Sequence, residues 1–372
     1  MNKRINYLCG SLVFFILIWC SISCSGPKVV KEMDGDVVVV KNPKDPVRIS
    51  NYAQEVKLTE ELCIGHDAPE GEYVFAALRA LQVDDVGDII VLDWKDNLIK
   101  VFNPDGHLIH SFGKHGQGPG EIQSPGRLYL KDGKLIALMD SGNNRYSLYT
   151  KNGDCLKEID MGKYRVFRTI PDSRDYVYGD RLNFSGGPLP SIQLLRISPD
   201  FSDAEIIVEY EFESRFGMFA PVFDRLAYAV ASDDRFLWVR STKYVIHILN
   251  PDGEEILRIH KKYEAVPITD EEKKDLGERY MGDIKSLPNQ YSPFFYFICD
   301  DLGRIYVRTY ERNEKGWIGY DIFDNEGRFF SRLFLPEEET LMVVKKDKAY
   351  CMITESPDEG IPLVKRYTMD WK

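Results

Sequence analysis

The residues 113–126 (GKHGQGPGEIQSPG) combine five glycines with side chains that commonly bind ligands. A phosphate-binding loop of the P-loop class requires G-x-x-x-x-G-K-[ST] between a strand and a helix. No Ser or Thr follows a lysine at the end of this segment, and no helical pattern comes after it. The glycines therefore predict a sharply turning linker, in which His115 and Glu121 are candidate ligand-binding residues.

Arginines stand at or near the beginnings of several predicted strands, at Arg79, Arg127, Arg165 and Arg225. A ring of guanidinium groups would suit an anionic ligand, because arginine binds carboxylates through two parallel hydrogen bonds. The predicted registers of Arg79 and Arg127 point their side chains in opposite directions, which favours pairing with local carboxylates instead. We retain Arg79, Arg127 and Arg225 as candidate ligand-binding residues.

Two aspartates, Asp93 and Asp140, each end a predicted strand and precede a polar turn. They are candidate ligands for a divalent cation such as Ca²⁺, which prefers oxygen donors. Capping of the following turn is the favoured interpretation. The six histidines form no H-x-x-x-H or H-E-x-x-H motif, and G-x-S-x-G is absent from the sequence. No catalytic residue is assigned.

These side chains must be positioned by a repeated β structure. Turn sequences rich in Asn, Asp and Gly recur between pairs of apolar, strand-like runs, as at 103–106, 250–253 and 324–327. A second series of strand-like runs precedes each pair, and a further candidate strand precedes that series. The unit is four antiparallel strands in roughly 45 residues, the size of one propeller blade. Six units predict an all-β, six-bladed propeller.

The sixth unit has only three strands, whereas residues 54–65 form a spare strand near the N-terminus. Closing the ring with this strand removes an open sheet edge, so the propeller is predicted to span residues 54–372. An open pair of β-sandwich sheets is the less favoured alternative. A helical insertion is predicted at about 269–287, with Thr269 and Glu272 as a capping box.

The N-terminal residues 1–23 have a basic start and a short apolar core, which indicates a signal peptide rather than a membrane span. Ser23 followed by Cys24 is typical of a bacterial lipoprotein cleavage site, with Cys24 lipidated and residues 24–53 forming a tether. An ordinary secretory signal is the alternative. The net charge of −11 becomes −13 without residues 1–23, and basic clusters are lacking, which argues against nucleic acid as a partner.

The residues Leu81 to Phe112, followed by GKHGQGPGE, resemble an NHL-type repeat. The resemblance includes Asp93 at the end of the second strand, Asn97 before the third, and Val-Phe before an Asp-Gly turn. Six such units behind a lipoprotein signal resemble the six-bladed β-propeller lipoproteins of Bacteroidetes. This resemblance implies the fold and an outer-membrane location on the periplasmic or surface face, but it does not specify an activity.

The leading functional hypothesis is a monomeric binding protein of the cell envelope that recognises a glycan, a peptide or an outer-membrane protein partner. The alternative is a metal-assisted hydrolase, lactonase or lyase with its site at the channel mouth. Four scattered cysteines outside the signal, Cys63, Cys155, Cys299 and Cys351, form no C-x-x-C motif and are expected to be buried thiols.

Overall fold

The computed structural model describes residues 28–50, 52–65, 74–185, 190–211, 223–280, 283–357 and 360–372. Its strands form six sheets, one for each blade of a six-bladed propeller. Within each blade the chain starts at the innermost strand and proceeds outward through antiparallel neighbours. Neighbouring innermost strands contact one another around the whole circle, so they surround a central channel.

The first three blades have four strands each. Blade one contains β4 (Leu78–Val83), β5 (Ile89–Asp93), β6 (Leu98–Phe102) and β7 (Leu108–Phe112). Blade two contains β8 (Pro125–Lys131), β9 (Leu135–Asp140), β10 (Arg145–Tyr149) and β11 (Cys155–Asp160). Blade three contains β12 (Arg168–Pro171), β13 (Val177–Asn183), β14 (Ser191–Ile197) and β15 (Ala204–Glu211).

The other three blades follow the same pattern, with additions from the N-terminal region. Blade four contains β16 (Leu226–Val230), β17 (Phe236–Arg240), β18 (Val245–Leu249) and β19 (Glu255–Lys261), extended by β2 (Val37–Asn42) and β1 (Val30–Asp34). Blade five contains β20 (Tyr296–Cys299), β21 (Ile305–Arg312), β22 (Ile318–Phe323) and β23 (Phe329–Leu335). Blade six contains β24 (Glu339–Lys345), β25 (Lys348–Ile353), β26 (Leu363–Trp371) and β3 (Val56–Ile64).

The ring is closed by strands from opposite ends of the chain. The strand β3 pairs antiparallel with β26, from Val56 opposite Trp371 to Ile64 opposite Val364. The predicted closure by the N-terminal strand is confirmed. Because β3 supplies the outer strand of blade six, β26 has no open edge on that side.

The hydrophobic core lies between the blades rather than within any one of them. Six clusters of buried apolar side chains each join two neighbouring blades, and the cluster between blades six and one includes Ile64, Tyr350 and Leu81. A seventh cluster belongs to the insertion. Each blade is therefore stabilised on both faces by its neighbours, as expected for a closed ring of repeats.

The recurring turns that revealed the repeat are stabilised by their own side chains. The Oδ1 atom of Asn103 accepts hydrogen bonds from the backbone N–H groups of Asp105 and His107. Asn250 and Asp324 make the equivalent pairs of bonds in blades four and five. A short side-chain acceptor at this position explains why Asn and Asp recur in the sequence.

The N-terminal hairpin differs from the predicted tether. Within residues 24–53, β1 and β2 form an antiparallel hairpin, and β2 adds in parallel to the outer strand β19 of blade four. The side chain of Asn42 fixes the end of β2 by donating to Gly327 O and accepting from Phe329 N–H. The run of four valines at 37–40 is the signal for this strand, because β-branched residues favour sheets.

The insertion between blades four and five is helical, as predicted, but its α-helix is shorter. The helix α1 spans Asp270–Tyr280, and a 3₁₀ helix follows at Ile284–Ser286. The capping box is confirmed, because Thr269 N–H donates to the Glu272 carboxylate and Glu272 N–H donates to Thr269 Oγ1. Among the residues that the structure describes, no helix has the length and apolar character needed to cross a bilayer.

The thiols differ in exposure. Cys351 is buried between blades five and six, whereas Cys63 and Cys299 are partly buried. The expectation of burial is wrong for Cys155, which is exposed at the start of the outer strand β11. The outermost strand of a blade has fewer neighbours to cover its side chains, so an apolar-looking sequence context does not ensure burial there.

We expect Ile64→Ala to lower the free energy of unfolding by about 3 kcal/mol, because it removes a buried side chain where β3 closes the ring. The measurement is urea denaturation followed by tyrosine and tryptophan fluorescence. Lys57→Ala, on an exposed position of the same strand, is the control and should change stability by less than about 0.5 kcal/mol. Equal effects of the two substitutions would contradict closure through β3.

Candidate functional site

The innermost strands all begin at the same mouth of the central channel. A cavity of about 260 Å³ opens there, and each blade contributes to its wall near the beginning of its innermost strand. Four of the six blades contribute an arginine, while blades five and six contribute an aromatic ring and a hydroxyl group. In blade order, these residues are Arg79, Arg127, Arg168, Arg225, Phe295 and Thr340. We call this set the arginine mouth.

The next layer of the channel is different in chemistry. About two or three residues further along the same strands, the wall is formed mainly by apolar and aromatic side chains. In blade order, the residues are Gln82, Tyr129, Ile170, Ala227, Phe297 and Met342. No lysine or arginine belongs to this layer among the described lining residues. We call it the middle layer.

One arginine of the mouth has a complete carboxylate partner. The Nε and Nη2 atoms of Arg168 donate to the two carboxylate oxygens of Asp180, at 3.0 and 3.1 Å. The Tyr228 hydroxyl donates to the same carboxylate at 2.7 Å. Burial disfavours the charge of Arg168, but the neighbouring Asp180 outweighs it and raises the pKa of Arg168. Arg168 is therefore held in place by an ion pair.

The other arginines of the mouth lack such a partner in the described part of the chain. Arg79 Nε donates to the backbone carbonyl of Gly126 at 2.8 Å. The guanidinium of Arg225 lies over the Phe295 ring, with 4.4 Å between Cζ and the ring centroid. None of the described residues forms an ion pair with Arg79, Arg127 or Arg225. The arginine mouth therefore carries positive charge that the described carboxylates do not balance.

The pKa values of Arg225 and Arg79 reflect their burial and the like charges beside them. Burial, followed by the charges of Arg168 and Arg127, lowers the pKa of Arg225 to about 10. Burial and the charge of Arg127 lower the pKa of Arg79 as well. A nearby anion would relieve the like-charge repulsion and raise both pKa values. The electrostatics of the mouth therefore favour the approach of an anion.

A second, shallower cavity of about 360 Å³ adjoins the arginine mouth over blade three and shares its four arginines. Its wall also includes Phe167 and Leu182, whose side chains are exposed apolar groups. The carboxylate of Asp224 lines this cavity too, but it is bound by both Nε and Nη2 of Arg240. A ligand held by the arginines would thus meet a mixed surface outside the channel, apolar at Phe167 and Leu182 and polar at Arg181.

The opposite mouth of the channel is acidic. A cavity of about 400 Å³ lies where the innermost strands end, and its wall includes Asp85, Asp132, Asp172, Asp234, Asp300 and Asp301. Several of these carboxylates stabilise turns or ion pairs, as Asp172 does by accepting from the backbone N–H groups of Arg174 and Tyr176. Within the described ranges, no group of three or more His, Cys, Asp or Glu side chains is arranged to hold a metal ion.

The helical insertion supports the arginine mouth from outside. Leu276 of α1 packs with Ile268, Leu287 and Phe223, and Phe223 lies two residues before Arg225. The insertion thereby packs against the segment that carries Arg225. Among the described residues that line these two cavities, none belongs to α1.

The two ligand-binding candidates in the glycine-rich linker do not line the channel. His115 is exposed, and its backbone forms an isolated bridge with Ile122. The carboxylate of Glu121 accepts from Gly118 N–H at 2.9 Å and from Lys114 Nζ at 3.1 Å, and these bonds lower its pKa. Neither side chain lines the central cavities, so the structure places both in the linker's own fold rather than at the site.

The glycines of this linker serve backbone geometry. Gly113 has a φ of 113°, and a Cβ atom there would lie 2.4 Å from Asn97 O. A side chain at this position would collide with the backbone of blade one.

The two aspartates predicted as weak metal ligands anchor the chain as it enters each blade. The Asp93 carboxylate accepts from Ala76 and Ala77 N–H at 2.9 Å each. In the same way, Asp140 accepts from Gln123 and Ser124 N–H at 2.9 and 2.8 Å. The favoured sequence interpretation placed these bonds in the following turn. Asp140 does accept two bonds there, from Gly142 N–H and from the Asn143 side-chain amide. Their main partners instead precede the innermost strand.

The predicted arginines are partly brought together. Arg79, Arg127 and Arg225 share the mouth, although the expected registers of Arg79 and Arg127 were opposed. Irregularities in pairing near the beginnings of β4 and β8 change those registers. Arg165 instead occupies a turn with a φ of 52° and lies outside the lining. Arg168, three residues later, was missed; its position as the first residue of β12 is the signal that could have identified it.

We expect Arg225→Met to raise the free energy of unfolding by about 1 kcal/mol at pH 7, since it removes a charge that burial and two arginines disfavour. The folded-state pKa lies below the unfolded value, so this penalty is fully present below about pH 10 and is lost only as pH rises from there towards the unfolded-state pKa. Chemical denaturation of the variant and of the unsubstituted protein at pH 7 and pH 10.5 measures how much of this penalty is lost at the higher pH.

The matched control is Arg240→Met. This substitution leaves the buried Asp224 carboxylate without its bidentate partner and should cost about 3 kcal/mol. If Arg225→Met lost as much stability as Arg240→Met, the assignment of surplus charge to the arginine mouth would be contradicted.

Comparison with known proteins supports the fold. The model of the DUF5128 family, described as a 6-bladed beta-propeller, matches residues 72–227. A comparison with curated protein sequences finds no match. A member of the DUF4221 family from Bacteroides vulgatus has a similar structure, with a TM-score of 0.54 and 10% identity over 86% of this chain and 99% of that chain.

A candidate exported protein from Bacteroides fragilis gives a TM-score of 0.57 and 11% identity over 89% of this chain and 99% of that chain. A gluconolactonase from Xanthomonas campestris is less similar, with a TM-score of 0.48 and 11% identity over 80% of this chain and 87% of that chain. At these identities the likeness concerns the fold alone. The chain is a six-bladed β-propeller with structural neighbours from Bacteroides.

Proposed function

We propose that this protein is a binding propeller of the cell envelope that captures an anionic group at the arginine mouth. The observation that carries the proposal is the convergence of Arg79, Arg127 and Arg225 around one cavity without carboxylate partners in the described chain. Of the ligands expected from the sequence, this geometry favours those with an acidic group, whether a free molecule or part of a glycan, a peptide or a protein partner.

The ion pair between Arg168 and Asp180 supports the same role. It holds one guanidinium rigidly at the mouth and leaves the neighbouring arginines to the ligand. Preorganised donors lower the entropic cost of binding, and arginine is well suited to oxyanions. The exposed Phe167 and Leu182 beside the mouth would contact the part of a larger ligand that stays outside.

We expect acetate, benzoate and sulfate to bind, and the neutral acetamide and benzamide to bind at least tenfold more weakly, because only the anions compensate the arginines. Isothermal titration calorimetry at low salt measures these affinities. Arg225→Gln should lower the affinity for every anion. Arg174→Gln, which breaks an exposed ion pair with Asp252, should leave these affinities unchanged. Amides that bind as tightly as the acids would overturn the proposal.

The same titration has a defined pH dependence. Anion affinity should hold at neutral pH and fall as pH rises through about 10, where the ligand-free Arg225 loses its proton. The dependence should disappear in Arg225→Gln.

We further propose that the protein is exported and anchored through a lipid on Cys24. The candidate exported protein from Bacteroides fragilis, which shares the fold, supports export. The predicted signal and Cys24 lie outside the described residues. The hairpin strand β1 begins at Val30, so only a short segment separates Cys24 from blade four. A lipid there would hold the propeller close to the membrane surface.

We expect Cys24→Ala to abolish incorporation of labelled fatty acid and to move the protein from the membrane fraction to the soluble fraction. Cys20→Ala, within the predicted signal, is the control and should keep the label. Retention of the label in Cys24→Ala would exclude this cysteine as the anchor.

The alternative of a metal-assisted hydrolase, lactonase or lyase at the channel mouth stays a prediction. It requires a bound divalent metal and turnover that is lost on chelation.

A further inference from the structure

We propose that the natural ligand is an amphiphilic organic anion whose acidic group binds the arginine mouth and whose apolar body enters the middle layer. This inference rests on the proposed anion-binding function and adds the chemistry and the orientation of the ligand. It follows from three properties of the channel: the position of its charges, the nature of its wall, and its volume.

The positive charges of the cavity are confined to one level. Arg79, Arg127, Arg168 and Arg225 all lie at or near the beginnings of their strands. A ligand with several anionic groups along its length would find guanidinium partners only for the group at this level. The channel is therefore built for one acidic end.

The wall beyond the arginines suits an apolar body. Ile170, Phe297 and Met342 form much of the middle layer, and the small side chains of Ala227 and Ala229 leave space beside them. Tyr129 and Gln82 add polar groups at its margin. Moving a methylene group from water into such a layer is favourable by about 0.8 kcal/mol, which corresponds to roughly a fourfold gain in affinity.

The acidic mouth fixes the direction of entry. Asp172 and Asp234, which take part in no ion pair of the described residues, stand at the far end of the channel. Of the other aspartates there, Asp300 is paired with Arg304 and Asp85 with Lys345. The two cavities share wall residues, including Tyr129 and Ile170. The resulting field attracts an anion to the arginine mouth and repels it from the far end, so the ligand's anionic group stays at the arginines.

The volume sets the size of the buried part. The cavity of about 260 Å³ is smaller than the roughly 300–1,000 Å³ of typical ligand sites. It accommodates a short aliphatic chain or a single ring rather than an oligosaccharide. The ligand can be a free acid or the end of a larger amphiphile, since the exposed Phe167 continues the apolar surface outside the mouth.

The test is a chain-length series of straight-chain carboxylates, namely acetate, butyrate, hexanoate and octanoate, titrated calorimetrically into the purified protein. We expect affinity to rise two- to fourfold per added methylene up to the length that fills the cavity, and then to level off. Hexyl sulfate in parallel distinguishes a carboxylate from a sulfate headgroup, and methyl hexanoate tests the need for charge.

Two variants of the middle layer make the test specific. Ala227→Leu fills the space beside Phe297, with which Ala227 packs, so it should abolish the gain in affinity with chain length. Met342→Ala enlarges the cavity and should shift the plateau to longer chains, which gives a second readout if Ala227→Leu folds poorly. Ala204→Leu on the outer strand β15 is the control and should leave the series unchanged.

The outcomes separate this inference from the proposed function. Equal affinities for acetate and octanoate would overturn the amphiphilic ligand but leave anion binding in place. Methyl hexanoate binding as tightly as hexanoate would overturn anion binding itself. Failure of every acid in the series to bind would overturn both.

Discussion

The channel of this propeller exists because the two ends of the chain pair with each other. Only when β3 adds to β26 is the last blade completed and the first innermost strand placed beside the sixth. Closure brings residues from six distant parts of the sequence, such as Arg79 and Thr340, to one mouth. The core between blades depends on the same closure, because Ile64 of β3 packs against the first blade. Ring closure and site assembly are thus a single structural event.

Because the closed ring repeats one four-stranded unit, side chains of like charge at equivalent positions of the blades come together at one end of the channel. Innermost strands run in the same direction in every blade, so their beginnings share one mouth and their ends share the other. Aspartates in the turns between the first two strands of each blade then collect at the far end, and arginines near the strand beginnings collect at the near end. Asp172 is an example of the first class and Arg127 of the second. A turn-stabilising residue thereby also contributes to the field along the channel.

The positive charge at the arginine mouth is electrostatically unfavourable for the fold, and the proposed binding of an anion would offset it. Arg225 is held over Phe295 beside other guanidinium groups, with its pKa lowered to about 10, whereas Arg240 nearby is fully paired with Asp224. Two arginines close in sequence therefore lie in opposite electrostatic environments. Sites that bind ligands commonly keep such unfavourable arrangements, because the ligand supplies the missing partner.

The sequence by itself determined the blade count, the four-stranded unit, the closing strand and the capped helix, because each depends on local patterns of apolar residues, turns and caps. It also indicated Arg79, Arg127 and Arg225, but not their convergence. Irregular pairing near the beginnings of β4 and β8 changed their registers, and the partner of Arg168, Asp180, is apparent only once β12 pairs with β13. Which arginines acquire carboxylate partners is decided by tertiary structure, since ion pairing depends on distances of a few ångströms that local sequence does not encode.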